Sequence, residues 1–207
     1  NPHTIEFWGM ITGDNDQSQT SQYYFTTMGD NAQHLIWAQH DGSGSNWEIY
    51  VGKYSNIYGT SASNANFPSP TINTWYHFAY VFDNTNASRW YVNGRHVGSH
   101  NDSSQTHDEP DHIILGQRYD GTAYDRPFEG YINDFRITKG IARYGGTINS
   151  SDWSNFDEPT TKWGTSSEGS GDGLVEGQKG DALWDNVTGY YRFNGDFEDR
   201  SERSGDI

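Results

Sequence analysis

A short segment between two predicted strands carries the residues best suited to bind sugars. Tyr119-Asp120-Gly121 is followed closely by Tyr124-Asp125-Arg126, so aromatic and ionisable side chains lie together on one loop. Aromatic rings stack on the apolar faces of sugar rings, and carboxylate and guanidinium groups hydrogen-bond to hydroxyls. The residues we predict to bind carbohydrate are Tyr119, Asp120, Tyr124, Asp125 and Arg126, with Trp47 as a further aromatic candidate.

Other aromatic residues are candidates for a sugar-binding groove. Trp47 and Tyr50 lie in one predicted strand, and three more rings share one face of another. Aromatic residues make up 15% of the chain and leucine is scarce, so aromatic side chains must also supply much of the core. Each is therefore either a groove residue or a core residue. The three rings on one strand face are Tyr76, Phe78 and Tyr80.

Residue patterns that would indicate catalysis are missing from the sequence. A glycosidase needs two carboxylates roughly 5–9 Å apart, and no strand-like segment has acidic residues at the alternating spacing that shares one face. Cysteine is absent, which excludes thiol catalysis and zinc–thiolate sites. Neither Gly42-Ser43-Gly44 nor Gly169-Ser170-Gly171 completes a serine nucleophile elbow. We predict no catalytic residues and a protein that is not an enzyme.

Two acidic segments have the composition of metal sites. Three histidines and four acidic residues lie between residues 100 and 112, which fits a metal site or, as we favour, a solvated hairpin loop. Asp14-Asn15-Asp16 is placed to begin an EF-hand loop, but Gln19 stands where the glycine is needed and Phe25 where the glutamate is needed. Neither segment is predicted to bind a metal.

The chain is strongly acidic. Its 28 acidic and 13 basic residues give a net charge of −15, which repels phosphate backbones and makes nucleic acid a poor partner. The acidity fits either solubility or carboxylates that hold a hard cation such as Ca²⁺. No run approaches the roughly 20 apolar residues of a membrane helix, so membrane insertion is not expected.

Short strands are the elements that must position these residues. Apolar runs rich in aromatic and β-branched residues are bounded by Gly, Asn, Asp or Ser. Asn93-Gly94 between two such runs indicates a tight hairpin turn, because both residues accept positive φ. Residues 55–70 are predicted to be a loop. The predicted strands are 4–11, 23–28, 33–39, 47–52, 74–82, 88–92 and 95–98.

The strongest strand signal lies within residues 128–144. Alternate side chains there are predicted to share one face of a strand. Gly140 ends this strand, and residues 141–144 are predicted to form a helical turn that tucks Ile141 and Tyr144 under a sheet. The residues predicted on the shared face are Tyr131, Asn133, Phe135 and Ile137.

Four segments carry a family resemblance. In chain order they are TIEFW at 4–8, the hairpin from WYHFAYVF to WYVNGRHVG at 75–98, IILG at 113–116 and GYINDFRITKGIARY at 130–144. Together they resemble strands of laminin-G-like, concanavalin-A-type jelly rolls. The ending KGIARY is similar to the form in bacteriophage virion proteins and large bacterial surface proteins. The resemblance implies an all-β fold, a two-sheet antiparallel jelly-roll sandwich.

The resemblance also implies a cation and a location. Domains of this type often hold a structural Ca²⁺ between the turn after the first strand and the last strand, which corresponds here to Asp199 and Asp134. The alternative for Asp134 is a hydrogen bond or ion pair with a nearby arginine. The virion and surface members of the family imply a location on a virion surface, or an extracellular or cell-surface one.

The family's first strand is out of order in this chain. The resemblance assigns a jelly roll to residues 1–144, and the Gly-, Ser- and acid-rich residues 145–186 are predicted to be a linker. Residues 187–207 include GYYRFNGDFEDRS, which resembles the opening strand and turn of such a domain. They either begin a second repeat or complete a sheet, in this chain or in a neighbouring one.

The predicted function is a non-catalytic binding or assembly module of a virion or cell surface, such as a phage tail fibre or capsid decoration protein. Its partners would be surface glycans, other virion or surface proteins, and copies of itself through self-association or tandem repeats. The alternatives are a bacterial surface adhesin, a carbohydrate-binding module of an enzyme, and a purely structural filament repeat held together by strand exchange.

Overall fold

A computed structural model describes residues 2–12, 22–28, 34–40, 47–53, 56–61, 71–82, 87–101, 113–119, 122–125, 127–144 and 187–191. Every regular element in these ranges is a β-strand. The strands are β1 (His3–Ile11), β2 (Gln22–Met28), β3 (His34–His40), β4 (Trp47–Lys53), β5 (Asn56–Ser61), β6 (Trp75–Phe82), β7 (Ala87–Val92), β8 (Arg95–Asn101), β9 (Ile113–Leu115), β10 (Arg118–Tyr119), β11 (Tyr124–Asp125), β12 (Gly130–Lys139) and β13 (Val187–Tyr191).

The described strands form three sheets. A six-stranded sheet has the order β13-β12-β1-β6-β7-β8, and a five-stranded sheet has the order β5-β4-β3-β2-β9. The short strands β10 and β11 pair antiparallel with each other. In the larger sheet β1 is hydrogen-bonded to β12, so the closing strand lies beside a strand that precedes it by more than a hundred residues.

The chain divides into two compact units. One comprises residues 1–8, 77–103 and 132–207, and the other comprises residues 9–76 and 104–131. The first unit holds β7, β8 and β13, and the second holds the five-stranded sheet and the β10–β11 pair.

Strand β6 is covered on both faces, as expected for a strand that is apolar on both sides. Its residues 76–82 are all buried. Phe78 stacks on Phe7 with ring centroids 5.3 Å apart, and Phe7 in turn stacks on Phe135 at 6.1 Å. Side chains at alternate positions of a strand point to the opposite face, where Ala79, Val81 and Tyr91 form a second buried cluster against which Ala142 and Tyr144 pack.

The burial of three aromatic side chains of β6 shows whether they are groove residues or core residues. Tyr76, Phe78 and Tyr80 have exposed fractions of 9%, 4% and 3%. They are therefore core residues, and the possibility that they line a groove is wrong.

The hairpin between β7 and β8 has the predicted turn. Asn93 and Gly94 both adopt positive φ, at 49° and 72°. Asn93 also ties the turn to β6, because its backbone N–H donates to the His77 carbonyl and its Oδ1 accepts the His77 N–H, both at 2.8 Å. The strand signal and the turn signal are confirmed together here.

Strand β12 forms where the sequence predicts a strand, but its side chains do not alternate between buried and exposed as predicted. Asp134 has a φ of 48°, and Asp134, Phe135 and Arg136 are buried one after another. Tyr131 is 59% exposed and Phe135 is 1% exposed, so the two side chains do not share an environment. A left-handed residue inside a strand breaks the period of two, which is why the alternation prediction is wrong.

The end of β12 differs from the prediction in one respect. Gly140 has a φ of 84° and ends the strand as predicted, and its N–H donates to the Pro2 carbonyl at 2.7 Å. Residues 141–143 are irregular, so the predicted helical turn is absent. Tyr144 nevertheless packs against the buried cluster on β6 and β7.

Two further strands bear on the predicted organisation. β5 lies inside residues 55–70, so the prediction that this whole range is a loop is wrong; β5 pairs along its full length with β4.

β13 pairs antiparallel with β12 of the same chain, from Phe135 opposite Tyr191 to Thr138 opposite Val187. The division into a jelly roll at 1–144, a linker at 145–186 and a terminal segment at 187–207 stays a prediction.

Candidate functional site

The fully buried carboxylate of Glu6 in β1 is the centre of a charged network. Arg136 donates from Nε and Nη2 to Glu6 Oε1, at 2.9 and 2.6 Å. Tyr144 Oη donates to Oε2 at 2.6 Å, and His77 Nε2 lies 3.3 Å from the same oxygen. Arg143 Nε lies 3.6 Å from Oε1. Both carboxylate oxygens therefore face donors, which is what a buried charge requires.

Two threonines, Thr4 in β1 and Thr138 in β12, hold the segment that follows β12. Arg143 donates from Nε to Thr138 Oγ1 at 2.6 Å and from its backbone N–H to Thr4 Oγ1 at 3.0 Å. Thr4 Oγ1 in turn donates to the Ile141 carbonyl at 3.2 Å. These bonds satisfy backbone groups that no strand ladder serves, so residues 140–144 are fixed without regular secondary structure.

The network fixes the protonation of its central groups. Burial alone would raise the pKa of Glu6, but the charge of Arg136, the hydrogen bond and charge of His77 and the charge of Arg143 outweigh it and hold that pKa well below its ordinary value. Burial and the neighbouring Glu6 carboxylate raise the pKa of Tyr144. Glu6 is thus a shielded carboxylate, whereas a glycosidase acid needs a raised pKa and access to substrate.

An exposed pair of aromatic rings lies in the second unit. Trp75 at the start of β6 is 40% exposed, and Tyr131 near the start of β12 is 59% exposed. Their ring centroids are 6.5 Å apart with an angle of 47° between the ring planes. This distance and tilt lie in the range of interacting aromatic pairs, so the two rings form one surface, here called the Trp75–Tyr131 pair.

Backbone contacts with the end of β1 hold the segments that carry the two rings. The Thr12 N–H donates to the Glu129 carbonyl at 3.0 Å, and the Asn73 N–H donates to the Ile11 carbonyl at 2.7 Å. A Cβ atom on Gly130 would lie 2.0 Å from the Met10 carbonyl oxygen, so only glycine permits this approach. The Trp75–Tyr131 pair therefore sits on a fixed backbone.

Comparison with protein families decides the fold family. A laminin G family model, described as the concanavalin A-like lectin/glucanases superfamily, matches residues 1–142. The chain belongs to this superfamily. Together with the antiparallel sheets, this match confirms the predicted all-β jelly roll and the resemblance to laminin-G-like domains. The chain is a lectin-like jelly-roll domain.

Solved structures similar to this laminin-G-like chain include three of different kinds. A heptameric SAP-like pentraxin from Limulus polyphemus has 16% sequence identity, with 66% of this chain and 63% of that chain covered and a TM-score of 0.46. The CBM40 module of a Ruminococcus gnavus IT-sialidase, bound to α2,3-sialyllactose, has 13% identity, coverage of 66% and 74%, and a TM-score of 0.46. Tailspike protein 2 of Escherichia coli O157:H7 bacteriophage CAB120 has 13% identity, coverage of 66% and 20%, and a TM-score of 0.45.

The similarity covers parts of larger molecules in two of these cases. It spans less than two thirds of the pentraxin and a fifth of the tailspike protein. A comparison with curated proteins finds no match. No helix in the described part of the chain has the length and hydropathy of a membrane span.

The residues predicted to bind sugar lie in several places of this laminin-G-like domain. In the backbone register of the β10–β11 pair, Tyr119 is paired with Tyr124 and Arg118 with Asp125. Trp47 is the first residue of β4, paired with His40 and remote in sequence from the β10–β11 segment. Asp120 and Arg126 lie outside the described residues. The structure thus brings Tyr119, Tyr124 and Asp125 onto one short pair of strands.

Of the two predicted calcium ligands, Asp134 is described and Asp199 is not. Asp134 is buried at a φ of 48°, and its backbone N–H donates to Asn133 Oδ1 at 3.0 Å. Among the described side chains, no group of three or more His, Asp or Glu is placed to hold a metal ion. Asp134 and Asp199 remain predicted Ca²⁺ ligands.

Sequence reasoning missed both the network and the exposed pair. Glu6, His77 and Arg136 are charged or titratable residues inside strands that are otherwise apolar, and that mismatch was the available signal. Tyr131 had no comparable signal, because the alternation pattern placed it with Phe135 and only the left-handed Asp134 separates them.

Proposed function

We propose that this laminin-G-like domain is a non-catalytic glycan-binding module of a virion or cell surface. The observation that carries the proposal is the Trp75–Tyr131 pair, two exposed rings 6.5 Å apart on a lectin-superfamily scaffold. The shielded state of Glu6 supports a role without catalysis, because Arg136 and Tyr144 already donate hydrogen bonds to its two carboxylate oxygens. A phage tail fibre, a capsid decoration and a bacterial adhesin are all roles of this kind.

Trp and Tyr suit this task because their ring faces are apolar, whereas the indole N–H and the phenol O–H can form hydrogen bonds. A pyranose ring has one or two faces of C–H groups, which pack against an aromatic face and leave the hydroxyls free for hydrogen bonds. The backbone bonds of Thr12 and Asn73 keep the ring-bearing segments in place before any ligand arrives. A preformed surface loses little conformational entropy on binding, which favours affinity for small ligands.

The β10–β11 segment is the second proposed contact for the same glycan class. Tyr119 and Tyr124 occupy opposed positions of that pair, and Asp120 and Arg126 adjoin it in sequence. The proposal therefore has two separable surfaces, the Trp75–Tyr131 pair and the β10–β11 segment, and variants can distinguish them.

A glycan array probed with the labelled domain tests the proposal. We expect binding that falls about tenfold or more, equivalent to about 1.4 kcal/mol, in Trp75→Ala and in Tyr131→Ala. Ile113→Ala is the matched control, because Ile113 is also a large exposed apolar residue, at 37%, but lies in β9. Thermal melting of each variant checks that it is folded.

The array results show which of the two surfaces binds glycan and whether the domain binds glycan at all. Loss of binding in Tyr119→Ala and Tyr124→Ala, with Trp75→Ala unaffected, would move the site to the β10–β11 segment. If the folded wild-type domain binds no glycan, the glycan-binding proposal is wrong.

Assembly with other copies of the chain is the second candidate function. β13 lies at the edge of the six-stranded sheet and pairs with a strand that ends 48 residues earlier, at Lys139. An edge strand presents backbone donors and acceptors to another chain, and a remote strand is one that a neighbour can supply. Light scattering across a hundredfold dilution series tests this, because strand exchange predicts a mass that falls on dilution and a fixed monomer contradicts it.

A further inference from the structure

The Trp75–Tyr131 pair lies in a part of the chain with very little positive charge. The unit formed by residues 9–76 and 104–131 contains 11 acidic residues and 3 basic ones, a net charge of −8. The basic residues are Lys53, Arg118 and Arg126. No lysine or arginine occurs at 54–88, the sequence around Trp75, or at 127–135, the sequence around Tyr131.

The polar side chains beside the pair in sequence are mostly neutral. Thr71, Asn73 and Thr74 are exposed in the turn that precedes Trp75, and Asn73 is held there at a φ of 62°. The only charged residue within two positions of Tyr131 is the acidic Glu129. Hydroxyl and amide groups hydrogen-bond to sugar hydroxyls and acetamido groups, but they do not neutralise a carboxylate, sulfate or phosphate.

The wider field also acts against an anionic ligand. The whole chain carries a net charge of −15, so a negatively charged glycan approaches against repulsion that reaches about 10 Å at ~0.1 M salt. None of the residues that adjoin the pair in sequence is cationic, so a ligand charge brought against them would lose water without compensation from them, which costs free energy. Neutral sugars carry neither penalty.

We infer that the Trp75–Tyr131 pair binds uncharged pyranoses, hexoses or N-acetylhexosamines, and discriminates against acidic sugars. The inference rests on the proposed glycan-binding function and adds the class of ligand. Specificity of this kind comes from what the site lacks, because an unpaired ligand charge is rejected even where the sugar ring itself fits.

Titration with matched oligosaccharides tests the inference. The probes are a neutral N-acetyllactosamine oligosaccharide, the same oligosaccharide capped with sialic acid, and a neutral hexose oligomer beside its uronic acid counterpart. We expect each acidic member to bind about tenfold or more weakly at ~20 mM salt. At ~150 mM salt the difference in affinity between the neutral and the acidic oligosaccharides should shrink. The affinity for the neutral oligosaccharides should stay constant, because salt screens only the repulsion of the acidic ones.

A charge-insertion variant sharpens the test. Thr74→Lys adds a cation at an exposed position next to Trp75, so it should narrow the ratio between neutral and acidic binding. Thr74→Gln is the matched control for side-chain length and should leave the ratio as it is. Trp75→Ala should weaken the binding of neutral glycans about tenfold or more.

The outcomes distinguish this inference from the proposed function. Acidic glycans that bind the wild type as tightly as neutral ones overturn the inference and leave glycan binding intact. Neutral binding that survives in both Trp75→Ala and Tyr131→Ala also overturns it, because the site would then lie elsewhere. Binding of neither class overturns the proposed function, and the inference with it.

Discussion

At the scale of single residues, the carboxylate of Glu6 organises the polar interior of the first unit. It receives Arg136 and Tyr144 directly and has His77 and Arg143 within 4 Å. Burying these charges costs solvation, and only their mutual attraction offsets that cost. Removing only the negative charge, or only a positive one, should therefore lower the free energy of unfolding by more than the loss of its hydrogen bonds alone would.

We expect Glu6→Gln to lower the free energy of unfolding by about 3–5 kcal/mol, because it leaves Arg136 buried without a counter-charge. Urea unfolding followed by tryptophan fluorescence measures the change. Glu129→Gln is the matched control for the loss of one carboxylate charge, and because Glu129 is only partly buried it should lower stability by less than Glu6→Gln does. An equal, small effect of both substitutions would contradict the role given to Glu6.

The same substitution should change the pH dependence of stability. The pKa of Glu6 is depressed in the folded state from an ordinary value of 4.5. Its stabilising contribution is therefore complete above pH 4.5 and is lost progressively as the pH falls below that value. Unfolding of the wild type between pH 3 and pH 7 should show this slope, and Glu6→Gln should show a flatter one.

How far individual residues could be predicted depends on whether a local rule governs them. The positive φ of Asn93 and Gly94 follows from a dipeptide that prefers that turn, and the sequence was sufficient there. The partners of Glu6 come from β6, β12 and the segment after β12, so no local pattern connects them. The exposure of Tyr131 depends on one left-handed residue, Asp134, which the alternation rule does not anticipate.

At the scale of elements, β13 contributes the outermost ladder of the six-stranded sheet. It covers the edge of β12 between Phe135 and Thr138, with a register shift at Ile137. Its strand signal was visible in sequence, but its partner was not, because a pairing across about fifty residues leaves no trace in local composition. β5 was missed for a related reason: its six residues precede the Ser/Asn-rich residues 62–66 and form a strand through pairing with β4.

Deleting residues 184–207 should lower the melting temperature, since β12 would lose its ladder to β13 and expose an edge. Each kcal/mol lost corresponds to roughly 2–4 °C for a chain of this size. Deleting residues 192–207 instead retains β13 and serves as the control. Equal melting temperatures for the full chain and both deletions would show that β13 does not stabilise the sheet.

At the scale of the whole molecule, a net charge of −15 makes any cation stabilising to some degree. Salt screens the self-repulsion of the acidic chain, and this effect does not depend on a particular site. A test of the proposed Ca²⁺ site must therefore be made at constant ionic strength.

We expect millimolar Ca²⁺ to raise the melting temperature above that in NaCl of the same ionic strength, if Asp134 and Asp199 hold the ion. A free Ca²⁺ concentration 100 times the dissociation constant would stabilise the folded state by about 2.7 kcal/mol. Asp134→Asn should remove this specific increment, and asparagine tolerates the left-handed conformation of residue 134. An increment that persists in both Asp134→Asn and Asp199→Asn would place calcium elsewhere.

The bonds that Glu6 makes with Arg136 and Tyr144 have a consequence for folding during synthesis on the ribosome. The neighbours of β1 in its sheet are β6 and β12, and Glu6 can meet Arg136 and Tyr144 only after some 130 further residues have been synthesised. Contacts of such long range make folding slow, because the intervening loop must close before they form. A nascent chain therefore waits with an apolar strand and an uncompensated carboxylate exposed, so chaperone holding should matter most before residue 144 emerges.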